Sequence, residues 1–387
     1  MKIYPWRLLR SFGYAVTMTE VRRRNRDAAR SRQNLVRAFM LSLAGWVATT
    51  HNGFARPAAL GPTDRGPGQQ TYQERVNVSR VVVDARVVDD AGKPIKGLST
   101  ADFEVKINGK SAAVDSIDWV PSERDDRTLP TSPMLPVITP FPRGRAMVFL
   151  YQKKTDLSEV GGLMRVQRDL AAFANIVAPE DRVAVVSFDT HLHLWVDFTN
   201  DVTRIRRVLQ HDIVVGSPPQ VEPGALPSLR ARLSPEVERS SDTIEKAFRV
   251  LGDALEPLPG MKSIIVLGYA MGTWAPRLGT VHMANDYPDA FAALQKARIS
   301  VFCIDLTRAD YHPREEGLRM IADDTGGFYM QSHIFSVAIF DRLAGALAGY
   351  YALLVVPPDV KKGERQIDVR LVHRRGTVFA KRRYVDE

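Results

Sequence analysis

The sequence predicts an α/β protein: a doubly wound, mostly parallel sheet of the Rossmann type, with a β-sandwich-like flanking domain built from N- and C-terminal strands. Three observations predict it. From residue 146 to about 349, apolar runs of strand length alternate with segments of helical period. β-branched, alternating segments flank that stretch at 76–120 and 350–387. Neither flank is long enough to bury a core of its own, so pairing the two around an inserted domain is the economical arrangement. Two separate β appendages are the rival reading.

Taken in order, residues 1–55 form a basic leader. Arg22, Arg23, Arg24, Arg26, Arg30, Arg32 and Arg37 precede an apolar run at 38–47, and Gly53-Phe54-Ala55 has the small-residue form of a cleavage site. The run is short for a membrane span. A signal peptide cleaved near Ala55 is expected, and with it an exported protein, periplasmic or extracellular. A single membrane anchor or a cytosolic basic tail is the alternative, and membrane contact is expected only through an uncleaved leader. Residues 1–56 hold 11 Lys/Arg against 2 Asp/Glu, and the remainder carries 42 of each sign. The net charge of +9 thus belongs to the leader, and no nucleic-acid partner is expected.

Residues 56–75 are a Pro/Gly/Gln-rich linker. In 76–120, a β-branched strand ends at an Asp89-Asp90-Ala91-Gly92 turn, and a second strand reaches the hairpin signal Asn108-Gly109. Residues 121–145, with six prolines, form a second linker. The α/β stretch at 146–349 opens with the buried strand 146–151 and a helix over 161–177. A near-continuous apolar strand at 181–188 follows, then a short antiparallel edge strand at 192–198 and a helix at 201–209. Residues 218–235 are a Pro-rich loop of the length usually tied to function. Ser234 caps one helix running to Leu255, with Pro235 at its first position. Strands at 263–267 and 300–306 and helices at 289–298, 316–325 and 335–350 complete the run. The closing segment 350–387 reads as strands broken at Pro357-Pro358 and at a Lys361-Lys362-Gly363 turn. Cys303, the single cysteine, excludes an intramolecular disulfide and is expected as a small buried hydrophobe.

The central stretch resembles a von Willebrand factor type A domain. The likeness rests on the strand before the long helix, on Asp181-Arg182-Val183-Ala184-Val185-Val186-Ser187-Phe188, and on Ala322-Asp323-Asp324-Thr325-Gly326-Gly327-Phe328-Tyr329. The flanks, from Val82-Val83-Asp84-Ala85 through Gly97-Leu98 and at Tyr350-Tyr351-Ala352-Leu353-Leu354, are similar to bacterial VWFA-related proteins of the acidobacterial type. The resemblance covers about residues 76–387 and implies an exported binding protein with no enzymatic activity. Metal-competent members end their first strand in Asp-x-Ser-x-Ser. Here those positions fall on Gln152, Lys154 and Asp156, and Tyr269 or a neighbour stands where a later Asp belongs. The resemblance therefore implies a degenerate metal site, and no metal or cofactor is expected. Lys153 and Lys154 would repel a hard cation.

The expected surface for a protein partner is the rim formed by Tyr151, Gln152, Lys153, Lys154, Asp156, Ser158, Tyr269 and Trp274, with the 218–235 loop beside it. A metal-dependent binding protein or a hydrolase-like enzyme on a related fold is the alternative. It needs convergent acidic groups, and only Asp305 and a displaced Asp156 offer them. His191 and His193 share a strand face, but no third ligand is evident at useful spacing, so they read as solvent-facing. Asp305 reads as a cap or turn residue, Asp323-Asp324 as part of a turn, and Arg374, Arg375, Lys381, Arg382 and Arg383 as a solvated strand face. No Gly-rich phosphate loop, nucleophile elbow or His-Glu-x-x-His sequence occurs in the sequence, and no catalytic residue is assigned.

Overall fold

The computed structural model describes residues 80–122, 144–153, 161–162, 164, 166–167, 177–224, 227–307, 312–333, 336–359 and 363–386. The leader, the first linker, nearly all of the second linker, most of the helix expected at 161–177, and Lys154, Asp156 and Ser158 lie outside them. Residues Arg75–Glu387 form one compact unit. None of the described helices is long and apolar enough to cross a membrane.

Two sheets organise this unit. The α/β layer contains β4 (Arg145–Gln152), β5 (Arg182–Phe188), β6 (Leu192–Thr199), β7 (Met261–Gly268), β10 (Ile299–Asp305) and β11 (Tyr329–Gln331), in the spatial order β11-β10-β7-β4-β5-β6. All neighbours are parallel except β5 and β6, which pair antiparallel at the edge as the alternation of 192–198 predicts. Successive residues of these strands feed two hydrophobic clusters on opposite faces. Val148, Leu150, Val186 and Val266 join one, while Met147, Phe149, Val185 and Ile265 join the other. Period-2 alternation with both faces apolar is why these strands read as continuous hydrophobic runs.

The helices of the described residues include α1 (Val202–Arg207), which continues through a π-helical turn (Val208–Asp212) and a last short turn (Ile213–Val215), and α2 (Pro235–Ser240), α3 (Ile244–Leu255), α4 (Tyr287–Lys296), α5 (Glu315–Thr325) and α6 (Ser336–Leu347). The single helix expected from Ser234 to Leu255 is two. The Ser241 hydroxyl turns back to the Glu238 carbonyl and accepts a hydrogen bond from Leu192 N at 2.9 Å, tying the break to β6. Thr243 then caps α3 through Lys246 N. Two elements escaped the sequence reading: β11, and a hairpin of β8 (Thr273–Ala275) and β9 (Thr280–His282). Each strand has three residues, too few to show a period.

The flanking segments form one antiparallel sheet of seven strands, in the order β14-β1-β12-β3-β2-β13-β15. Its members are β1 (Val81–Val88), β2 (Phe103–Ile107), β3 (Lys110–Pro121), β12 (Gly349–Val356), β13 (Gly363–Leu371), β14 (Thr377–Ala380) and β15 (Arg383–Asp386). Strands from the two flanks interleave in it, β12 lying between β1 and β3 and β2 pairing with β13. The two edge strands are separated in sequence only by Lys381 and Arg382, so the sheet curls until its edges meet. The expected two-sheet sandwich is thus replaced by a single sheet rolled around one core of Val83, Val105, Ile107, Tyr351, Leu353 and Ile367.

The chain enters and leaves the α/β layer at one place. Ser122 N and Oγ both donate to the Ala348 carbonyl, at 3.0 and 2.9 Å. Next to this junction, buried Arg145 grips buried Asp181 through Nε and Nη2, and Asp181 also accepts from Arg145 N and Ala178 N, each at 2.8 Å. Arg145 Nη1 reaches the Leu347 carbonyl at 3.3 Å. Further stitches join the curled sheet to the α/β layer. Arg298 pairs with Asp84 at 2.6 Å, Arg382 with Asp323 at 2.9 Å, and Arg383 with buried Asp324, which also accepts from the Tyr287 hydroxyl. Two expectations are corrected here. Asp323 and Asp324 sit in the last turn of α5, not in a free turn, and Arg383 is partly buried against Asp324 rather than part of a solvated face, while Arg382 stays exposed as expected though paired with Asp323.

Removing one member of a buried ion pair strands the other charge in a low-dielectric site. D181A is expected to cost about 3–5 kcal/mol of unfolding free energy, read from urea denaturation of the full chain.

Candidate binding rim at the carboxyl ends of the sheet

From β4 the chain runs outward on one side to β5 and β6, and later on the other side to β7, β10 and β11. Strand order therefore reverses between β4 and β7, the place where open α/β sheets hold ligands. Gln152, the last residue of β4, stands at that point and is only 5% exposed. Its Nε2 donates to the Ala270 carbonyl at 2.8 Å. Its Oε1 accepts from Tyr269 N at 2.9 Å and Ala270 N at 3.3 Å. One amide thus satisfies a donor and an acceptor of the loop after β7, which a carboxylate, being acceptor-only, cannot do. A Cβ at Gly268 would lie 2.4 Å from Oε1, so the close approach of the amide to β7 requires glycine there.

The neighbouring cation is also engaged. Lys153 Nζ donates to the Gly216 carbonyl at 3.0 Å and lies 5.5 Å from the Trp195 ring centroid, while Lys153 N bonds Phe188 O. Tyr151 is buried in the core. Of the rim residues singled out by sequence, Tyr151 and Gln152 therefore form its floor rather than its surface. Tyr269 and Trp274 are half-buried, Trp274 on β8 of the short hairpin whose turn carries Leu278, 68% exposed. Gln152 and Tyr269 meet directly, through the amide and the Tyr269 backbone. Trp274 stands five residues further along the same connection.

The Pro-rich loop is anchored by one carboxylate. Buried Asp197 on β6 accepts from Phe198 N (2.8 Å), Gly224 N (3.1 Å), Ser228 Oγ (2.6 Å), Leu229 N (2.6 Å) and Arg230 N (3.2 Å). Burial pushes the Asp197 pKa up, but the Ser228 hydroxyl and the backbone N–H donors outweigh it and hold the group below the usual carboxylate range. Between this loop and β6 lies a cleft of about 460 Å³, bordered by His193, Pro218, Val221, Arg230 and Glu238.

Two clusters hold potential metal ligands. Asp305, fully buried at the end of β10, accepts from Thr307 N (2.8 Å), Tyr329 OH (2.5 Å) and His312 Nε2 (2.7 Å). The Thr307 contact is the turn role expected of Asp305, but its junction with His312 and Glu315 was not legible, because the segment leading into α5 and the first residue of α5 deliver those partners. Glu315 is taken up by Arg319 (3.0 Å) and Gln331 (3.0 Å), with Arg319 stacked 4.2 Å from the Tyr329 ring. Burial pushes the Asp305 pKa up, and the hydrogen bonds from His312, Tyr329 and Thr307 more than reverse this. Cys303, on the same strand, is buried, and burial pushes its thiol pKa up, so it is no nucleophile.

The second cluster lies at the β5–β6 turn. The Asp189, His191 and His193 ligand atoms all lie within 4.8 Å of one another, which supplies the third ligand that the sequence reading did not find. The signal was present as Asp-x-His-x-His, a period-2 spacing, but it falls on a turn and its first ligand precedes the strand.

No protein-family model and no curated protein matches the chain. Solved structures are similar at a distance. A von Willebrand factor type A protein from Catenulispora acidiphila is 10% identical, with a TM-score of 0.38 and coverage of 75% of each chain. The conserved hypothetical protein BatB from Bacteroides thetaiotaomicron is 16% identical, with a TM-score of 0.34, over 52% of this chain and 98% of that one. The human COPII-coat protein Sec24c is 12% identical, with a TM-score of 0.36, and the chain covers 64% of itself and 44% of that protein. Likenesses this distant carry no argument about the rim.

Q152E removes the donor to Ala270 O and sets a carboxylate against a carbonyl. It is expected to cost about 1–3 kcal/mol at pH 7, with a smaller loss near pH 5 as the acid form regains a proton to donate; chemical denaturation at both values checks it. For Asp197 the folded pKa is depressed, so its contribution is present above the unfolded value of about 3.9 and lost as pH falls through the folded one. D197N is therefore expected to destabilise at neutral pH and to converge with the unmodified chain as pH falls below the ordinary carboxylate range, as followed by thermal melts from neutral to acid pH.

Proposed function

We propose that this chain is an exported, non-enzymatic protein-binding module built on a von Willebrand factor type A-like domain whose cation position has been given over to a side-chain amide. The observation that carries the reading is the Gln152 clasp. The crevice at the reversal point of the sheet is bridged by hydrogen bonds within the chain, and the adjacent ammonium of Lys153 is spent on Gly216 O. Recognition then falls to the surface above this floor. Tyr269 and Trp274 supply half-buried aromatic rings there, the residue type that dominates interface energetics. The basic leader and its small-residue site support export. The enzyme alternative requires free acidic groups at the strand ends, and the carboxylate oxygens of Asp305 and Glu315 already have donors.

The test begins with co-purification of bound proteins from the native envelope, followed by direct affinity measurement with the purified partner. W274A and Y269A are each expected to weaken binding at least about tenfold, and added Mg²⁺ is expected to leave the affinity unchanged. Undiminished binding by both variants, or binding that requires Mg²⁺, overturns the reading.

A further inference from the structure

We infer that the β5–β6 turn is a binding site for a transition-metal ion of the Zn²⁺ class, held by Asp189, His191 and His193. The inference is independent of the partner-binding reading. Phe188, the residue before the turn, pairs in register with Gln152, so this turn lies one strand over from the amide clasp on the same edge of the sheet.

Hydrogen bonding around Thr190 sets the chemistry of the first imidazole. Asp189 Oδ1 is acceptor-only as a carboxylate and receives Thr190 N and, at 3.0 Å, Thr190 Oγ1. The threonine hydroxyl has one proton, and the carboxylate takes it. Toward His191 Nδ1, 3.1 Å away, Oγ1 must therefore accept, so Nδ1 carries the hydrogen and Nε2 presents its lone pair. This is how metal-ligating histidines are ordinarily oriented: the far nitrogen is hydrogen-bonded and the near one is left to coordinate. Neither His191 Nε2 nor Asp189 Oδ2 has a hydrogen-bond partner among the described residues.

His193 completes the group. Its Nε2 is 3.1 Å from Asp189 Oδ1, and its ring centroid is 4.1 Å from that of His191. Two imidazoles at that distance repel each other if both are protonated, whereas a shared cation makes the same proximity favourable. Tetrahedral zinc bonds place ligand atoms about 3.3 Å apart. The present separations, up to 4.8 Å, close to that value by side-chain rotation of an exposed carboxylate and two half-buried imidazoles. Two nitrogens and one carboxylate select a borderline metal such as Zn²⁺ over Mg²⁺ or Ca²⁺, which want oxygen throughout. Three protein ligands leave a fourth position for water or for a donor atom of a bound molecule. His193 borders the 460 Å³ cleft, so a ligand in the cleft has access to that part of the site. The Asp305–His312–Glu315 cluster is the weaker candidate, because Arg319 already neutralises Glu315 and Tyr329 and Thr307 occupy Asp305.

Calorimetric titration of the chelator-treated full chain with Zn²⁺ alone tests this. One saturable site is expected, with affinity at least about tenfold lower in H191A, in H193A and in D189N. Zn²⁺ is expected to raise the melting temperature of the unmodified chain and not that of the three variants, each first shown to melt cooperatively without metal. T190V, which leaves all three ligands in place, is expected to lose about tenfold through the freed imidazole. No saturable uptake, or equal uptake by the unmodified chain and an H191A/H193A double variant, overturns the assignment. The second result would place the ion on other histidines among the eight in the sequence.

Discussion

A side chain that donates and accepts at once governs the rim of this protein. In an open α/β sheet the place where strand order reverses is a crevice lined by unpaired backbone ends. Something must satisfy those groups: water, an ion, a ligand or the protein itself. Here Gln152 does so from the end of β4, pairing both the N–H and the C=O of Ala270. Other features of the rim follow. A side chain at Gly268 would crowd the amide, and the Tyr269–Ala270 backbone is held against β4. A carboxylate in the same place would have no hydrogen to give the Ala270 carbonyl. The amide satisfies the backbone groups of Tyr269 and Ala270 without carrying a charge itself.

At the opposite end of β4 the same economy appears with charges. Arg145 and Asp181 are buried together, and between them they bond the backbone at Arg145, Ala178 and Leu347. Those contacts bring the start and finish of the inserted α/β layer to one point, beside the Ser122–Ala348 hydrogen bonds. The ion pairs Arg298–Asp84, Arg382–Asp323 and Arg383–Asp324 then hold the curled sheet against the layer. Arg86 is buried at the same interface, stacked 5.8 Å from Phe302 and 5.6 Å from Tyr350 ring centroids.

Much of this was legible because burial on both faces leaves a strong mark. Strands β4, β5, β7 and β10 are continuous apolar runs, and β6 showed both its alternation and its edge position. The split of one helix into α2 and α3 was hidden because Ser241 is a tolerable helix residue. It breaks the helix only by bonding β6, a contact remote in sequence. The curl of the flanking sheet was hidden for a related reason. Alternation reports which residues face inward, but not whether one sheet or two encloses them. At the site, Gln152 stood out as a missing carboxylate, while its role depended on a loop 117 residues away. The Asp189–His191–His193 group shows the reverse case: all three ligands are local, and the pattern was missed because its first member lies in a turn.

The position of β12 bears on how the chain acquires its structure. Among the described strands, β1 pairs with β12 and β14, both of which follow the inserted layer in sequence. During synthesis β1 precedes the inserted layer and, apart from a local bridge of Val88 to Pro94 and the Ile95 N–H on Val87 O, waits for its ladder partners until well over two hundred further residues have been made. The β2–β3 hairpin can form locally, and the α/β layer can complete itself, but the rolled sheet must be assembled last. Loop-closure entropy grows only slowly with length, and the folded layer presents its two ends side by side, so the late step is a short-range docking rather than a long search. A chain released before Gly349 would be left with an orphan strand, a template for joining others of its kind.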